Sequence, residues 1–289
     1  MLSLNAPGEY DRFLLDGALR PRLARAVALA DVRPGQWVLD LGCGRGETAR
    51  HCARSGCRVL GVDYSRDCLL LTSETAKSGG GDLRGEVVLV QGDGNALPVR
   101  TGSMSRVLMF DVIEHLCPTE AEVVLSEVRR VLEPGGYLVV HTLPNRWALD
   151  IGYRWARFFL RSLPSEPRSE REQTIHVNEQ DIQSLNRLLV KVGFKARVWL
   201  EDSILAQARW QQGGQAFSSS DLRAKAYPFL VNPFLRTLYR LALATPLRLV
   251  LANDIFAVAF KGEFPKGSGW GRWLERLLAR ISSASGKGE

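Results

Sequence analysis

Disulfide frameworks, secretory leaders and membrane spans all find little support in this sequence. Its five cysteines (Cys43, Cys52, Cys57, Cys68 and Cys117) are odd in number, and none pair as Cys-x-x-Cys. That pattern argues against disulfides or a zinc site and for reduced thiols in a cytoplasm. Residues 1–10 have neither a basic start nor an apolar core, so no signal peptide is expected. The most apolar stretch, 241–252, contains Pro246 and Arg248 and falls short of the roughly 20 apolar residues a membrane span needs. Internal repeats, low-complexity segments and RNP-type or zinc-knuckle signatures are also missing, which removes solenoids and the common appended RNA-binding modules.

What remains is an ordinary folded composition, 45% hydrophobic and 24% charged over 289 residues. It suits one large domain or two small ones. The net charge of +7 and a pI near 9.4 favour an anionic partner, either nucleic acid or an acidic membrane surface. Apolar runs at 37–41, 58–62, 87–91, 106–110 and 137–141 alternate with helical patterns at 47–55, after Ser65, and at 119–132, the last ended by Pro134-Gly135-Gly136. Such alternation predicts an α/β fold, a parallel sheet covered by helices on both faces. Residues 9–30 and 146–162 read as helical, 163–173 as polar with two prolines, and 179–192 as a helix. A sixth strand is expected at 194–200 and a seventh at 254–260, separated by a mostly helical insertion. The expected organisation is an N-terminal helical segment (1–30), an α/β domain (31–262) with a lid region at 146–176 and an insertion at 203–252, and a C-terminal hinge with a basic amphipathic helix (263–289).

The run Val38-Leu39-Asp40-Leu41-Gly42-Cys43-Gly44-Arg45-Gly46 sits where a strand becomes a helix. Glycines there allow a tight turn and close approach to a ligand, and the following helix offers unpaired N–H groups to an anion. Dinucleotide sites use a similar turn, so the run alone is weak. Asp63 ends the second strand about 20 residues on, where an acid can bind both ribose hydroxyls. Gln91-Gly92-Asp93-Gly94-Asn95-Ala96-Leu97-Pro98 ends the third, where an acid can accept from an adenine amino group.

Together VLDLGCGRG, GVDYS, GDGNALP, FDVIEHL and LEPGGYLVV resemble, in order and spacing, the class I S-adenosylmethionine-dependent methyltransferase family, with a core like that of the type 11 and ubiquinone-pathway members. The resemblance covers roughly residues 30–145 and extends through strands six and seven to about 261. It implies a Rossmann-like seven-stranded sheet and S-adenosyl-L-methionine as cofactor. It implies that Asp40 fixes the methionine end of the cofactor, Asp63 the ribose and Asp93 the adenine amino group, with Tyr64 against the adenine face. Gly42, Gly44, Gly46, Gly94, Asn95 and Phe110 complete the expected cofactor set.

Methyl transfer is an in-line displacement. Alignment can supply roughly 7–11 kcal/mol, and a base is needed only where the acceptor must lose a proton. His115, His141 and His176 belong at the carboxyl edge of the sheet, where open α/β folds bind ligands. His176 and His115 are the candidate catalytic bases, whereas His141 reads as packed. Asp111-Val112-Ile113-Glu114-His115, with His176, resembles the E-x-x-E-H metal motif of small-RNA 2′-O-methyltransferases and ubiquinone-pathway O-methyltransferases. Its first acid is Asp rather than Glu, and no metal is expected.

Three basic amphipathic segments lie outside the motifs, one of them in the insertion, where Tyr227, Phe229, Phe234, Leu235, Leu238 and Tyr239 lie beside Arg236 and Arg240. Trp147, Ile151, Trp155, Phe158 and Phe159 share a helical face opposite Arg154, Arg157 and Arg161; Trp270, Trp273, Leu274, Leu277, Leu278 and Ile281 oppose Arg272, Arg276 and Arg280. Such faces suit a membrane interface. Peripheral membrane contact through 147–161 and 270–281 is therefore expected, on the cytoplasmic side, and nucleic acid is not. The leading expectation is methylation of a small or lipid-like molecule such as an isoprenoid quinone precursor, a polyketide or a glycolipid. Metal-dependent RNA 2′-O-methylation and a non-catalytic cofactor-binding scaffold are the alternatives.

Overall fold

The computed structural model describes residues 19–77, 83–159, 161, 163–202 and 232–262. β1 (Trp37–Leu41) and β2 (Arg58–Asp63) are continuous apolar runs because helices cover both faces of the sheet. β3 (Glu86–Gln91) lies at one edge and leaves alternate residues exposed. β4 (Met104–Phe110) and β5 (Leu132–Thr142) continue the parallel part. β6 (Lys195–Glu201) pairs antiparallel with β7 (Asp254–Phe260), which inserts antiparallel beside β5 and is buried along its whole length. The strand order is β3-β2-β1-β4-β5-β7-β6, the expected seven-stranded, mostly parallel sheet.

That order reverses between β1 and β4. At such a switch point the loops leaving two parallel strands diverge and open a crevice at their carboxyl ends. The loops after β1 and β4 border it from either side.

α1 (Pro21–Ala30) starts on a proline, whose missing N–H costs nothing in a first turn. Its Leu23, Ala26, Val27 and Leu29 join Ala49, Cys52 and Ala53 of α2 (Glu47–Arg54) in the core on one sheet face. α4 (Pro118–Val131) and α7 (Ile182–Lys191) supply Val124, Leu125, Val128, Leu185 and Leu189 to the core on the other. α3 (Arg66–Lys77) is capped as expected, with Ser65 Oγ accepting from Cys68 N at 3.3 Å.

Two expectations change. Pro134, Gly135 and Gly136 lie inside β5 rather than between helix and strand; α4 ends at Val131. The helix expected from 146 is present over the described residues to Phe159, as a π-helical segment (Ala148–Tyr153) running into α5 (Arg154–Phe159). The polar stretch 163–173 contains the start of a helix, α6 (Glu170–Ile175). In the insertion, α8 (Pro233–Leu243) and α9 (Arg248–Leu251) are helical as expected. Residues 203–231, the part of the N-terminal segment before 19, the hinge and the helix expected at 270–281 lie outside the described residues. Among the described residues no helix is long and apolar enough to cross a membrane.

The lid elements are bolted to the body through Asn145, which is fully buried. Its Nδ2 donates to Leu249 O and Ala252 O, both at 2.9 Å, and its N–H to Asn253 O at 3.0 Å. A Cβ on Gly152 would lie 1.8 Å from Val250 O, so the π-helical segment and α9 touch backbone to backbone. Asn145→Ala strands two buried carbonyls. It should cost about 2 kcal/mol and lower Tm by about 5 °C in thermal circular dichroism; an unchanged Tm would show that the joint carries no stability.

Candidate functional site

The loop after β1 turns on three glycines in left-handed conformation, with φ +72° at Gly42, +53° at Gly44 and +81° at Gly46. Two are also closed to side chains. A Cβ at Gly42 would lie 2.5 Å from Val112 Cγ2, and one at Gly46 2.6 Å from Thr72 Cγ2. Gly44 differs: its nearest neighbour would be 3.8 Å away, so its open side faces free space. Thr72 Oγ1 donates to Gly44 O at 2.9 Å, and Gly46 N donates to Cys43 O at 2.8 Å. These bonds hold the turn against α3 while Gly46 opens α2.

Asp63, ending β2, ties the two strand ends together. Its Oδ2 accepts from Gly44 N and its Oδ1 from Ser65 N, each at 2.9 Å. Asp40 is buried at the end of β1, and its Oδ2 has no hydrogen-bond partner. Burial, then the charge of Asp63, pushes the Asp40 carboxyl up to about 7, against the N–H of Ala49. Buried carboxylate oxygens without a hydrogen-bond partner are rare in folded proteins. Asp93 lies exposed at the end of β3, where its Oδ1 accepts from the backbone and side-chain nitrogens of Asn95, both at 2.9 Å, across the short turn begun by Gly94. Tyr64 stands 82% exposed on the same edge. Phe110 is placed differently, its ring in the core shared with α1 and α2.

The loop after β4 carries the second cluster. His115 and His176 meet edge to face, ring centroids 5.0 Å apart. His115 Nδ1 lies 3.0 Å from Ile175 O. As donor there, it leaves Nε2 as a free acceptor. His176 caps α6; its Nδ1 is buried without a hydrogen-bond partner, 4.0 Å from Glu179 Oε1. Burial, then the neighbouring His115, pulls the His176 imidazole below its ordinary value. Glu114 is buried, its Oε2 accepting from Thr142 Oγ1 at 2.8 Å; burial, then Asp111, pushes its carboxyl up to about 8. Glu114, His115 and His176 each offer a ligand atom within 4.8 Å of the others, an oxygen and nitrogen set suited to a divalent ion. Asp111 does not join them. It turns away to Arg22 and His141.

His141, read from sequence as packed, is fully buried between two acids. Its Nδ1 lies 2.5 Å from Asp111 Oδ1 and its Nε2 3.0 Å from Asp254 Oδ1. Arg22 of α1 reaches Asp111 Oδ2 at 2.8 Å. No spacing in the sequence announces this row, because its members come from α1, the β4 loop, β5 and β7.

A family model described as a methyltransferase domain matches residues 39–140. A demethylmenaquinone methyltransferase of Parafrankia sp. is 32% identical over 167 residues, 54% of this chain and 64% of that protein. A Mycolicibacterium smegmatis protein described as a probable S-adenosylmethionine-dependent methyltransferase is 32% identical over 199 residues, 66% of each chain. Among solved structures, the geranyl diphosphate C-methyltransferase of Streptomyces coelicolor, in complex with Mg2+, geranyl diphosphate and S-adenosyl-L-homocysteine, shares the fold at a TM-score of 0.57 and 16% identity, covering 90% of this chain and 86% of that one. The chain spans 40–66% of the length of the first five curated relatives it matches.

The raised Asp40 carboxyl has a testable sign. The native state keeps this proton up to about pH 7 while the unfolded chain loses it near pH 4, so ionisation costs stability as pH rises between the two. Asp40→Asn should therefore raise the Tm of the ligand-free protein at pH 8 by several degrees and change it little at pH 4. Equal gains at both pH values would contradict a buried ionised Asp40.

Proposed function

The chain belongs to the class I S-adenosylmethionine-dependent methyltransferase family, and on that premise we propose that it transfers the cofactor's methyl group to a small or lipid-like acceptor. Isoprenoid quinone precursors, polyketides and glycolipids are the classes in view. The observation that carries the acceptor reading is the apolar surface beside the site. Trp155 is 68% exposed and Phe158 73% on α5, which continues the π-helical segment held against α9 at Gly152, and Phe234 is 68% exposed on α8, with Leu238 and Leu241 also exposed. Soluble proteins rarely leave large apolar side chains together without use. The quinone-directed relative and the isoprenoid-directed fold neighbour agree with this class.

The residues present fit the cofactor. The open side of Gly44 gives a backbone approach, Asp63 can accept from ribose hydroxyls while keeping its backbone bonds, and Asp40 offers its unpartnered oxygen to an ammonium group. A cation there would favour the ionised form of Asp40. Gly42 and Gly46 shape the turn; Asp93, Gly94, Asn95 and Tyr64 line the adenine end. When bound, the cofactor supplies a methyl group carried on a sulfonium. The protein aligns the nucleophile in line with it and excludes water. His176, kept neutral by burial and by His115, takes the acceptor's proton where the acceptor is a hydroxyl. His115 orients against Ile175 O and faces the same space.

The Glu114–His115–His176 group favours a second reading, in which a divalent ion assists O-methylation, including that of an RNA 2′-hydroxyl. There, activity should vanish with a chelator and return with magnesium or manganese. Under the first reading, a chelator leaves turnover unchanged.

The lid also bears arginines in excess. Residues 147–161 and 232–251 contain Arg154, Arg157, Arg161, Arg236, Arg240 and Arg248 against the single acid Asp150. We place this face against an anionic bilayer on the cytoplasmic side, where exposed aromatics and arginines sit well. Trp155→Asp with Phe158→Asp should abolish sedimentation with phosphatidylglycerol-containing vesicles without lowering Tm; undiminished sedimentation would rule the face out.

Incubation with radiolabelled S-adenosylmethionine and cell extract split into lipid, RNA, protein and small-molecule fractions tests the function. Label should enter the lipid or small-molecule fraction; label in RNA would overturn the acceptor reading. Asp63→Ala should weaken cofactor binding by about 3 kcal/mol, roughly a hundredfold, in calorimetry. His176→Ala should lower turnover on a hydroxyl acceptor by about a hundredfold or more at unchanged cofactor affinity, and wild-type rates would remove it as the base.

A further inference from the structure

The row Arg22–Asp111–His141–Asp254 is absorbed by none of the roles above, and its geometry fixes its protonation. Both ring nitrogens of His141 face carboxylate oxygens, Asp111 Oδ1 at 2.5 Å and Asp254 Oδ1 at 3.0 Å. A neutral imidazole has one N–H and one lone pair, so it can donate to only one of them. The imidazolium donates to both. With Arg22 beside Asp111, two positive and two negative charges alternate and the buried row is neutral as a whole.

The row also holds a strained backbone. Asp111 has φ +55°, a left-handed conformation that aspartate tolerates better than most residues but still at a cost. Arg22 Nε and Nη2 reach one of its oxygens and His141 the other, so the side chain is clamped from both sides. The next residue is Val112, whose Cγ2 occupies the space a Cβ on Gly42 would need. Three residues on comes Glu114, held by Thr142, the neighbour of His141 on β5, and then His115.

We propose that His141, Asp254 and Arg22 are positioning residues, in which a doubly protonated His141 clamps Asp111 and so presses the turn bearing Val112, Glu114 and His115 onto the glycine loop. This rests on the reading of residues 40–46 as the cofactor loop. It makes the clamp sensitive to base. The groups around His141 are Asp111 and Glu114 from the β4 loop, Asp254 from β7 with Tyr239 of α8 nearby, and Arg22 from α1 with Glu47 of α2 beyond it. The two aspartates outweigh burial and raise the imidazole to about 9. A raised histidine gives stability that is complete below its ordinary value near 6.5 and is lost as pH rises through about 9. Loss of the proton to solvent leaves a lone pair facing one carboxylate, and the clamp loosens.

Asp254→Asn separates clamping from charge. The amide of Asn can donate to a neutral ring at Nε2, which frees the Nδ1–H for Asp111, so the clamp no longer needs the second proton. The test is nuclear magnetic resonance on the full chain with labelled histidine rings and valine methyls, from pH 7 to 10. In the wild type both ring nitrogens of His141 should be protonated at pH 7.5, and the Val112 methyls should shift with the same midpoint as His141, near 9. In Asp254→Asn, His141 should titrate lower, and the Val112 methyls should lose the step near 9, keeping only the step near 8 that Glu114 on the same turn sets in both proteins. S-adenosyl-L-homocysteine affinity, measured by calorimetry at pH 7.5 and 9.5, should fall about fivefold or more in the wild type relative to the variant; the ligand's own amine titrates alike in both. A neutral His141 at pH 7.5, or Val112 methyls indifferent to its titration, would overturn the proposal. If the wild type binds the ligand with no difference in pH response from the variant, the clamp does not reach the loop, although the cofactor site stands. If the wild type binds no ligand at any pH, the cofactor-loop reading fails while the His141 and Val112 signals still decide the clamp.

Discussion

The bond from Gly44 N to Asp63 Oδ2 is the joint on which the site depends. It crosses from the loop after β1 to the end of β2 and can form only if the chain at Gly42, Gly44 and Gly46 adopts positive φ. A β-substituted residue in that conformation pays roughly 1–2 kcal/mol; at Gly42 and Gly46 it would also strike Val112 or Thr72. The same joint brings the charge of Asp63 close enough to Asp40 to help raise its carboxyl. One backbone geometry therefore fixes the turn, the orientation of Asp63 and the charge that Asp40 meets.

Around that joint the protein buries unusual amounts of charge. An isolated ion moved into a protein interior costs several kcal/mol even after relaxation, so each buried acid here needs an explanation. Asp111 and Asp254 share His141 and Arg22. Glu114 leans on Thr142 and keeps its proton up to about pH 8. Asp40 has an oxygen with no hydrogen bond. The first two arrangements satisfy themselves inside the fold. The third leaves one oxygen free inside the fold, as the proposed cofactor role of Asp40 requires.

Much of this was legible in the sequence, for physical reasons that differ by element. The buried parallel strands announce themselves because both faces are covered, so their residues are apolar without alternation. The glycine loop and Asp63 announce themselves because chemistry demands particular residues at strand ends. α6 was missed although Ser169 and Glu172 form a reciprocal cap at its start; the prolines at 164 and 167 and the lack of an apolar stripe hid a helix of six residues. Pro134-Gly135-Gly136 reads as a turn, and the ladder with β4 does break there, its register passing from Leu132 to Tyr137, although β5 runs through it. The His141 row was not legible at all. Its members are scattered from residue 22 to residue 254, and only the insertion of β7 beside β5 places Asp254 against the ring. Phe110, expected in the cofactor set, has its ring in the core on the α1 and α2 side of the sheet.

The acceptor side is built by a different logic from the cofactor side. Backbone turns and acids define the glycine loop, whereas the lid presents aromatic and aliphatic side chains on elements held by Asn145 and by the Gly152–Val250 contact. The most direct test of the account is a crystal structure with S-adenosyl-L-homocysteine bound. Its ribose should lie on Asp63, its amine within hydrogen-bonding distance of Asp40 and its adenine beside Asp93. Density for the ligand anywhere else, or a bound ligand that leaves Asp40 Oδ2 without a partner, would contradict it.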